Sequence, residues 1–447
     1  MVKRIISAFL VLVFSFNMLF LSSCAKEPSE EDDNFTKDEN EETKEENEEK
    51  EGNEDLILTN LSKMYTECDL SEEKLREALA VALSKIDVLL ADVGEDFPNE
   101  TSKENIYGKR ENTGGWTTGF FTGMLWHSYE ITGDEKYKSA ASDRIDSFEY
   151  IIDNKIGVNH HDMGFLYTLS CVSAYKITAD ERAKNVAIKA ADHLITRYRE
   201  KGSFIQAWGS IEENSSNYRL IIDTLMNLPL LYFASEVTGD ESYREVARAH
   251  YDTAASLVYR DDGSTYHTYF FNQNTGEPTK GVTRQGLSDE STWSRGQAWG
   301  IYGPLLTYVY EQNEDALTIF KEATNYFLLN LPSDYVPYWD FTYGDGSEEP
   351  RDSSAAAIAL CGILEGIKYM EDNDPLKEIY VSAAKKIMNS LIDNYATTEG
   401  DLTNGLLLHG TQNMPDGTGV DEMSMWGDYF YLEALHRMLD EDWQLYW

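Results

Sequence analysis

Three aspartates in this 447-residue chain stand where an apolar stretch is about to begin. Asp162 follows His160-His161 and precedes Met163-Gly164-Phe165. Asp223 opens Thr224-Leu225-Met226-Asn227-Leu228-Pro229, and Asp352 opens Ser353-Ser354-Ala355-Ala356. Two carboxyl groups facing each other can divide the work of general acid and base, the equipment of glycoside chemistry. The plain alternative is capping, because Asp is favoured just before a helix. A helix start also lowers a carboxyl pKa, the wrong direction for a proton donor. An acid there needs burial among aromatics or a second anion beside it, and Asp162 could be that anion for Asp223.

The residues that would hold a ligand are aromatic and polar. The 9 Trp and 28 Tyr are consistent with flat, amphipathic contact surfaces such as sugar sites, although most single tryptophans are core. That core reading applies to Trp293, Trp299, Trp339 and Trp426, whereas Trp116 and Trp208 lie beside glycine or turn residues and are the better stacking platforms. Arg295 stands in the otherwise uncharged run Ser294-Arg295-Gly296-Gln297-Ala298-Trp299. It reads equally as a clamp on a substrate carboxylate or as half of an internal salt bridge. His267 and Gln285 fall in loops, where binding residues concentrate. His160-His161 lacks further ligand spacing, and no zinc motif, phosphate loop or Ser-His-Asp signature stands out. The expectation is a site without metal or cofactor.

Such residues must be carried by repeated helices. Thr132-Gly133-Asp134-Glu135-Lys136-Tyr137 recurs as Thr238-Gly239-Asp240-Glu241-Ser242-Tyr243, with looser echoes at Thr178-Ala179-Asp180-Glu181 and Asn313-Glu314-Asp315. The helix before each turn is apolar nearly all round, as Leu225, Met226, Leu228, Leu230, Leu231, Tyr232 and Phe233 show, and the one after it is one-faced, as Tyr243, Val246, Ala247 and Ala254 show. Stacked hairpins follow. The spacing predicts helices at 71–92, 117–132, 134–152, 164–177, 181–199, 224–237, 240–259, 293–312, 315–329, 353–372, 376–395 and 424–439. Six inner and six outer helices close into one all-α (α/α)6 toroid, with the inner N-termini at a shared mouth. Pro229 and Pro304 make two inner helices start late or kink. Around that mouth would stand Trp116, His161-Asp162, Asp223, Trp293 with Arg295, Asp352 and Trp426.

The net charge of −41 argues against a nucleic-acid partner. Much of it is local, with 16 Asp/Glu against 4 Lys in residues 25–55, a stretch that reads as a disordered tether. Residues 1–24 read as an export signal: Lys3 and Arg4, an apolar run from Ile5 to Leu21, then Leu21-Ser22-Ser23-Cys24. Cys24 is expected to carry a lipid, making the membrane a partner through that anchor alone; an uncleaved span is the alternative. Either way residues 56–447 would sit as a single domain outside the cytoplasm. Cys68, Cys171 and Cys361 form no disulfide framework, and the last two read as buried thiols.

Six ordered stretches together resemble glycoside hydrolase family 88, the unsaturated glucuronyl hydrolases, over roughly residues 60–440. They are Trp116 to Trp126, His161 to Phe165, Asp223 to Pro229, Trp293 to Trp299, Val336 to Phe341 and Asp352 to Ala356. The resemblance implies an (α/α)6 barrel and a metal-free reaction. Its substrate would be a lyase-made oligosaccharide ending in a 4,5-unsaturated uronic acid. It implies that Asp223 protonates C4 and helps water add at C5, after which the hemiketal opens and releases sugar and keto acid. Asp162 matches the second aspartate. His161, Trp116, Trp208, His267, Gln285, Arg295 and Trp299 match substrate-contacting positions. The export signal departs from the family's catalytic pattern and questions an intracellular working place. The loop Leu408 to Met423 is short of Lys and Arg, so weak help for a sulfate on the second sugar is expected if it borders that sugar. The rivals are a hydrolase of unsaturated galacturonyl units from pectin, a sugar epimerase using His160-His161 or His267, and a non-catalytic sugar-binding lipoprotein.

Overall fold

The turns that recur in the sequence are caps. Asp134 accepts from the Lys136 N–H, Asp180 from Arg182 and Ala183, Asp240 from Ser242, and Asn313 from Asp315. Each satisfies donors that a helix start leaves open. Gly133 and Gly239, at φ 68° and 74°, end the preceding helices in the left-handed region that glycine enters without strain. One turn therefore stops an inner helix and starts an outer one.

The computed structural model describes residues 54–211 and 215–447. The export signal, Cys24 and nearly all of the acidic tether lie outside the described residues. After a helical segment at 54–64 come α1 (Glu72–Val93), α2 (Thr118–Thr132) and α3 (Glu135–Asn154). Next is α4, which runs from Met163–Tyr167 through a π turn, Thr168–Val172, into Ser173–Thr178. The chain continues with α5 (Glu181–Ile195), α6 (Pro229–Thr238), α7 (Glu241–Val258) and α8 (Ser294–Glu311). It closes with α9 (Glu314–Leu329), α10 (Ser353–Ile367), α11 (Lys377–Ser390, continued by a π turn, Leu391–Tyr395) and α12 (Met425–Leu439). The even-numbered helices touch in the order α2, α4, α6, α8, α10, α12 and back to α2, an inner ring. Each odd-numbered helix packs against an inner neighbour, with α1 covering α12. Leu56–Trp447 forms one compact unit, the all-α (α/α)6 toroid that the sequence predicts.

Burial follows the two hydrophobic patterns. In α8 every residue from Ser294 to Tyr308 is buried, whereas α5 buries only Ala183, Val186, Ala187, Ala190, Ala191 and Leu194. Each large apolar side chain taken from water contributes about 1.5–3 kcal/mol, so the ring is held chiefly by its inner helices. Glycines set how close these come near the mouth. A Cβ on Gly119 would lie 2.0 Å from Phe165 O, and one on Gly164 would lie 2.6 Å from the Asn227 Cα. Side chains there would push α2, α4 and the segment before α6 apart.

Three boundaries differ from expectation. The helix from 181 ends at Ile195, because Tyr198–Arg199 pairs with Phe204–Ile205 as β3 and β4. The helix from 353 ends at Ile367. The segment expected to be helical from 224 is a 3-10 turn, Ile222–Asn227, with α6 beginning at Pro229. Proline has no N–H and crowds the carbonyl four residues back, which favours Pro229 at the start of α6 over a place inside a helix running from Leu225. Pro304, by contrast, lies inside α8 without ending it. Cys171 and Cys361 are buried free thiols as expected, and Cys68 is half-buried.

The sequence also left small sheets unseen. β1 (Phe97–Pro98) pairs with β2 (Lys109–Arg110). β5 (Arg219–Ile221), β6 (Thr268–Phe271) and β7 (Pro278–Val282) make a three-stranded sheet, and β8 (Gly410–Asn413) pairs with β9 (Thr418–Glu422). All lie in connections from an outer helix to the next inner one, while the inner-to-outer turns are short. Elaborate loops therefore gather where the inner helices start.

Deeper in the ring, Arg437 of α12 bonds to Glu433 (2.9 Å), to Glu365 and to the Tyr302 hydroxyl (2.6 Å), all buried. Arg437→Met should destabilise the protein by about 3–5 kcal/mol, because buried Glu433 loses its cation and buried Glu365 keeps only Lys368, 3.3 Å away. Urea unfolding checks this; an unchanged midpoint would show that the cluster holds nothing.

Candidate active site

Asp223 is placed by pairing and by one asparagine. Ile221 pairs with Thr268, and the Ile222 N–H donates to His267 O (3.1 Å), fixing the start of the turn. The Asn227 amide donates to Asp223 O (3.0 Å), and its Oδ1 accepts from the Phe165 N–H (2.9 Å). The turn that bears Asp223 is thus tied to the first turn of α4, just past Asp162. None of the three aspartates caps its helix: neither Asp162 nor Asp352 makes a side-chain cap bond, and no cap bond precedes Asp223. The capping explanation fits Asp134, Asp180 and Asp240 and fails here.

These carboxyls open on a cavity of about 410 Å³. Trp116, Trp208, Trp293 and Trp299 supply aromatic wall, Asp162 and Asp223 the acids, and Arg284 and Arg295 the cations. Gln285 and three residues of the β8–β9 hairpin, Gln412, Asn413 and Thr418, complete the lining. Asp162 and Asp223 keep only 8% and 17% side-chain exposure. His161 is fully buried beside them, with Nε2 3.4 Å from Asp162 Oδ1 and 3.8 Å from Asp223 Oδ1. Neither His161 Nε2 nor Asp223 Oδ1 has a hydrogen-bond partner among the described residues. A buried polar atom left unpaired costs about 1–3 kcal/mol, so this pair of atoms is what a ligand would satisfy.

The electrostatics separate the two acids. Burial and then the charge of Asp162 push the Asp223 carboxyl well above its usual range, while its own backbone N–H and Arg295 work against that rise. Burial also acts on Asp162, but His161, His160 and Arg197 outweigh it and hold this carboxyl low. Burial drives His161 down to about 4 although Asp162 pulls it up, so near pH 7 the ring is neutral. What it then offers Asp162 is an N–H dipole and not a full charge; His160, 3.1 Å from Asp162, and the buried Arg197 act in the same direction. The surroundings thus favour the proton on Asp223 and the charge on Asp162, the divided pair that acid/base work requires.

The remaining candidates are distributed unevenly. Trp116 packs on Trp426, with ring centres 4.7 Å apart. Trp208 carries two guanidinium groups, Arg219 at 5.0 Å and Arg284 at 5.5 Å. Gln285 lines the cavity and donates to Gln412 O (2.6 Å). His267 lies behind the lining, edge-on to Trp293 at 4.8 Å, with Nδ1 accepting the Arg284 N–H (3.1 Å). Arg295 forms the internal salt bridge that was one of its two readings: it pairs with buried Asp352 at 2.6 Å and donates to the Thr411 and Gln412 carbonyls. One Nη2 N–H remains for a ligand, and Trp293 and Trp426 flank the guanidinium at 4.5 and 5.1 Å. Arg284 was not foreseen; Gln412, Asn413 and Thr418 lie in the loop Leu408 to Met423, considered as a border of the second sugar, but were not singled out. Arg284 adjoins a named candidate, but the hairpin residues reach the cavity only through strand pairing and carry no local signal.

His161, Asp162 and Asp223 each offer a ligand atom within 4.8 Å of the others, so these are the residues that could hold a cation. Such an ion would have to displace the proton that burial and Asp162 keep on Asp223.

A ring of six helical hairpins whose mouth bears tryptophans and a divided acid pair is the architecture of a carbohydrate-active toroid. The chain belongs to Glycosyl Hydrolase Family 88, whose profile matches residues 91–439, and is a glycoside hydrolase. It is 50% identical over 378 residues to an unsaturated chondroitin disaccharide hydrolase of Streptococcus agalactiae serotype III (strain NEM316), covering 85% of this chain and 94% of that one. It is 41% identical over 363 residues to an unsaturated glucuronyl hydrolase of Bacillus sp. (strain GL1), covering 81% and 96%. The crystal structure of an unsaturated glucuronyl hydrolase from Streptococcus agalactiae superposes with a TM-score of 0.84 at 48% identity, covering 87% of this chain and 97% of that one.

Proposed function

We propose that this chain removes a 4,5-unsaturated uronic acid from the non-reducing end of lyase-generated glycosaminoglycan oligosaccharides by hydrating the C4=C5 bond. The observation that carries this reading is the buried pair of Asp223, whose carboxyl burial and Asp162 push up, and Asp162, held low by its neighbours, both opening on a tryptophan-lined cavity. Asp223 gives its proton to C4, and the alkene π pair forms the new C–H bond. The resulting cation at C5 is shared with the ring oxygen, and water adds there. The water's proton returns to the Asp223 carboxylate. The C5 hemiketal opens to a ketone, and the hemiacetal left at C1 collapses, releasing the second sugar and the keto acid.

Asp162 holds the substrate and keeps Asp223 protonated. His161 presents Nε2 to the reacting ring, and Trp116, Trp208 and Trp299 offer faces for it. Gln285 orients hydroxyls, His267 supports Trp293 and the Arg284 backbone, and Arg295 offers its remaining N–H to the uronate carboxylate. Asn413 and Thr418 bring neutral side chains to the cavity, and Asp416 lies 3.5 Å from the Arg284 guanidinium. A sulfate on the second sugar therefore gains little from this hairpin.

The test is a panel of unsaturated disaccharides from chondroitin, hyaluronan, heparin and pectin, offered to purified residues 56–447. The near-UV absorbance of the alkene should fall on the glycosaminoglycan products, no faster on sulfated than on unsulfated ones. Decay on pectin products alone would move the substrate to unsaturated galacturonyl units, and no decay with retained binding would favour a sugar-binding protein. Cys24 and the apolar run before it further support a lipid-anchored protein on the outer face of the membrane. Labelled palmitate should enter the full chain and not Cys24→Ala; equal labelling of both would remove the anchor.

A further inference from the structure

The geometry points to Thr224 as a positioning residue for the acid pair: its hydroxyl donates to His161 Nδ1 and so holds the ring in the tautomer whose Nε2–H faces Asp162 and Asp223. The inference rests on the reading of those two aspartates given above. His161 and Thr224 are both fully buried, and His161 Nδ1 is hydrogen-bonded to Thr224 Oγ1. The direction of that bond follows from the other side of the ring. Nε2 faces Asp162 Oδ1 at 3.4 Å and Asp223 Oδ1 at 3.8 Å. A ring lone pair there would be repelled by the Asp162 carboxylate, whereas an N–H is attracted. A neutral imidazole has one N–H, so with Nε2 protonated Nδ1 carries the lone pair and the threonine hydroxyl must be the donor. The reverse polarity would place protons on both nitrogens, a cation that the burial of His161 opposes.

The consequence reaches the acids. The Nε2–H stands nearer Asp162 than Asp223, so it favours charge on Asp162 and leaves the proton on Asp223. The other charged or titratable groups around this unit do not touch Nδ1. His160 and Arg197 act on both Asp162 and His161, Arg219 acts on His161, and Arg295 acts on Asp223. His250 and His267, also buried near His161, are pushed down to about 3 and are neutral at working pH. Thr224 is thus the group that selects the tautomer. Because it follows Asp223 on the same 3-10 turn, whatever places the acid also places the donor that orders its neighbours.

The experiment is ¹⁵N-histidine NMR of residues 56–447, with His161→Gln for assignment, beside kcat/KM against pH for Thr224→Val and Thr224→Ser. In the wild type His161 should show a protonated Nε2 and an unprotonated Nδ1. In Thr224→Val the ring should shift toward the other tautomer, and Asp162 loses the N–H dipole that faces it at 3.4 Å and binds a proton more readily. Activity needs Asp162 ionised, so the acid limb of the profile should move up by about one pH unit. KM at neutral pH should change little, and Thr224→Ser should restore both tautomer and profile. A wild-type His161 protonated on Nδ1 overturns the proposal, whether or not the valine variant folds. A Thr224→Val profile and tautomer like those of the wild type, beside an inactive Asp223→Asn, would overturn it and leave the acid pair standing. An active Asp223→Asn would remove the acid pair itself.

Discussion

Replacing Asp223 by Asn should lower kcat on an unsaturated glycosaminoglycan disaccharide by about 10³–10⁴-fold while substrate still binds. A positioned general acid commonly contributes 10²–10⁴-fold, and the upper part of that range applies because the same carboxyl both delivers the proton to C4 and recovers one from water. Asparagine keeps the shape and removes the transferable proton. Nothing else replaces it: His161 is neutral and buried, and Asp162 is ionised. Alkene absorbance gives the rate, and calorimetry with the intact disaccharide gives the binding. Unimpaired turnover would assign the chemistry to another group.

Asp162→Asn should show how the pair divides its proton. Burial is the larger cause of the raised Asp223 pKa and the Asp162 charge the second. With asparagine at 162 the second cause disappears, so the Asp223 pKa falls but stays above the ordinary carboxyl range. The catalytic form is protonated Asp223, present below its pKa and lost above it. The alkaline limb of kcat against pH should therefore move to lower pH, with turnover at neutral pH down by about 10²-fold. An alkaline limb left in place would mean that burial alone sets the Asp223 proton and that Asp162 only holds substrate.

The ring itself was readable because its signals are local and repeated. Leu225 to Phe233 is apolar but for Asn227 and Tyr243 to Val258 is apolar on one face, and Gly133-Asp134 and Gly239-Asp240 mark the turns between inner and outer helices. The acids were only half readable. A capping aspartate and a catalytic one look alike over five residues; what separates Asp223 from Asp240 is Asn227 reaching the Phe165 N–H and Gly164 allowing that approach. Both are long-range facts. Arg295 shows the converse, since an isolated cation in an apolar run calls for a partner but does not say whether Asp352 or a ligand supplies it. The hairpin residues Gln412, Asn413 and Thr418 belong to strands of four and five residues, too short for periodicity to mark, and only their pairing turns them toward the cavity.

The most direct measurement is turnover in D₂O under single-turnover conditions, with the released keto acid examined by NMR before solvent exchange. Protonation by Asp223 from one side of the bound ring places one deuteron at C4 in a single configuration, and Asp223→Asn abolishes that label together with product. Release of the uronic acid with its C4=C5 bond intact and no deuteron at C4 would show attack at the anomeric carbon and contradict hydration by Asp223.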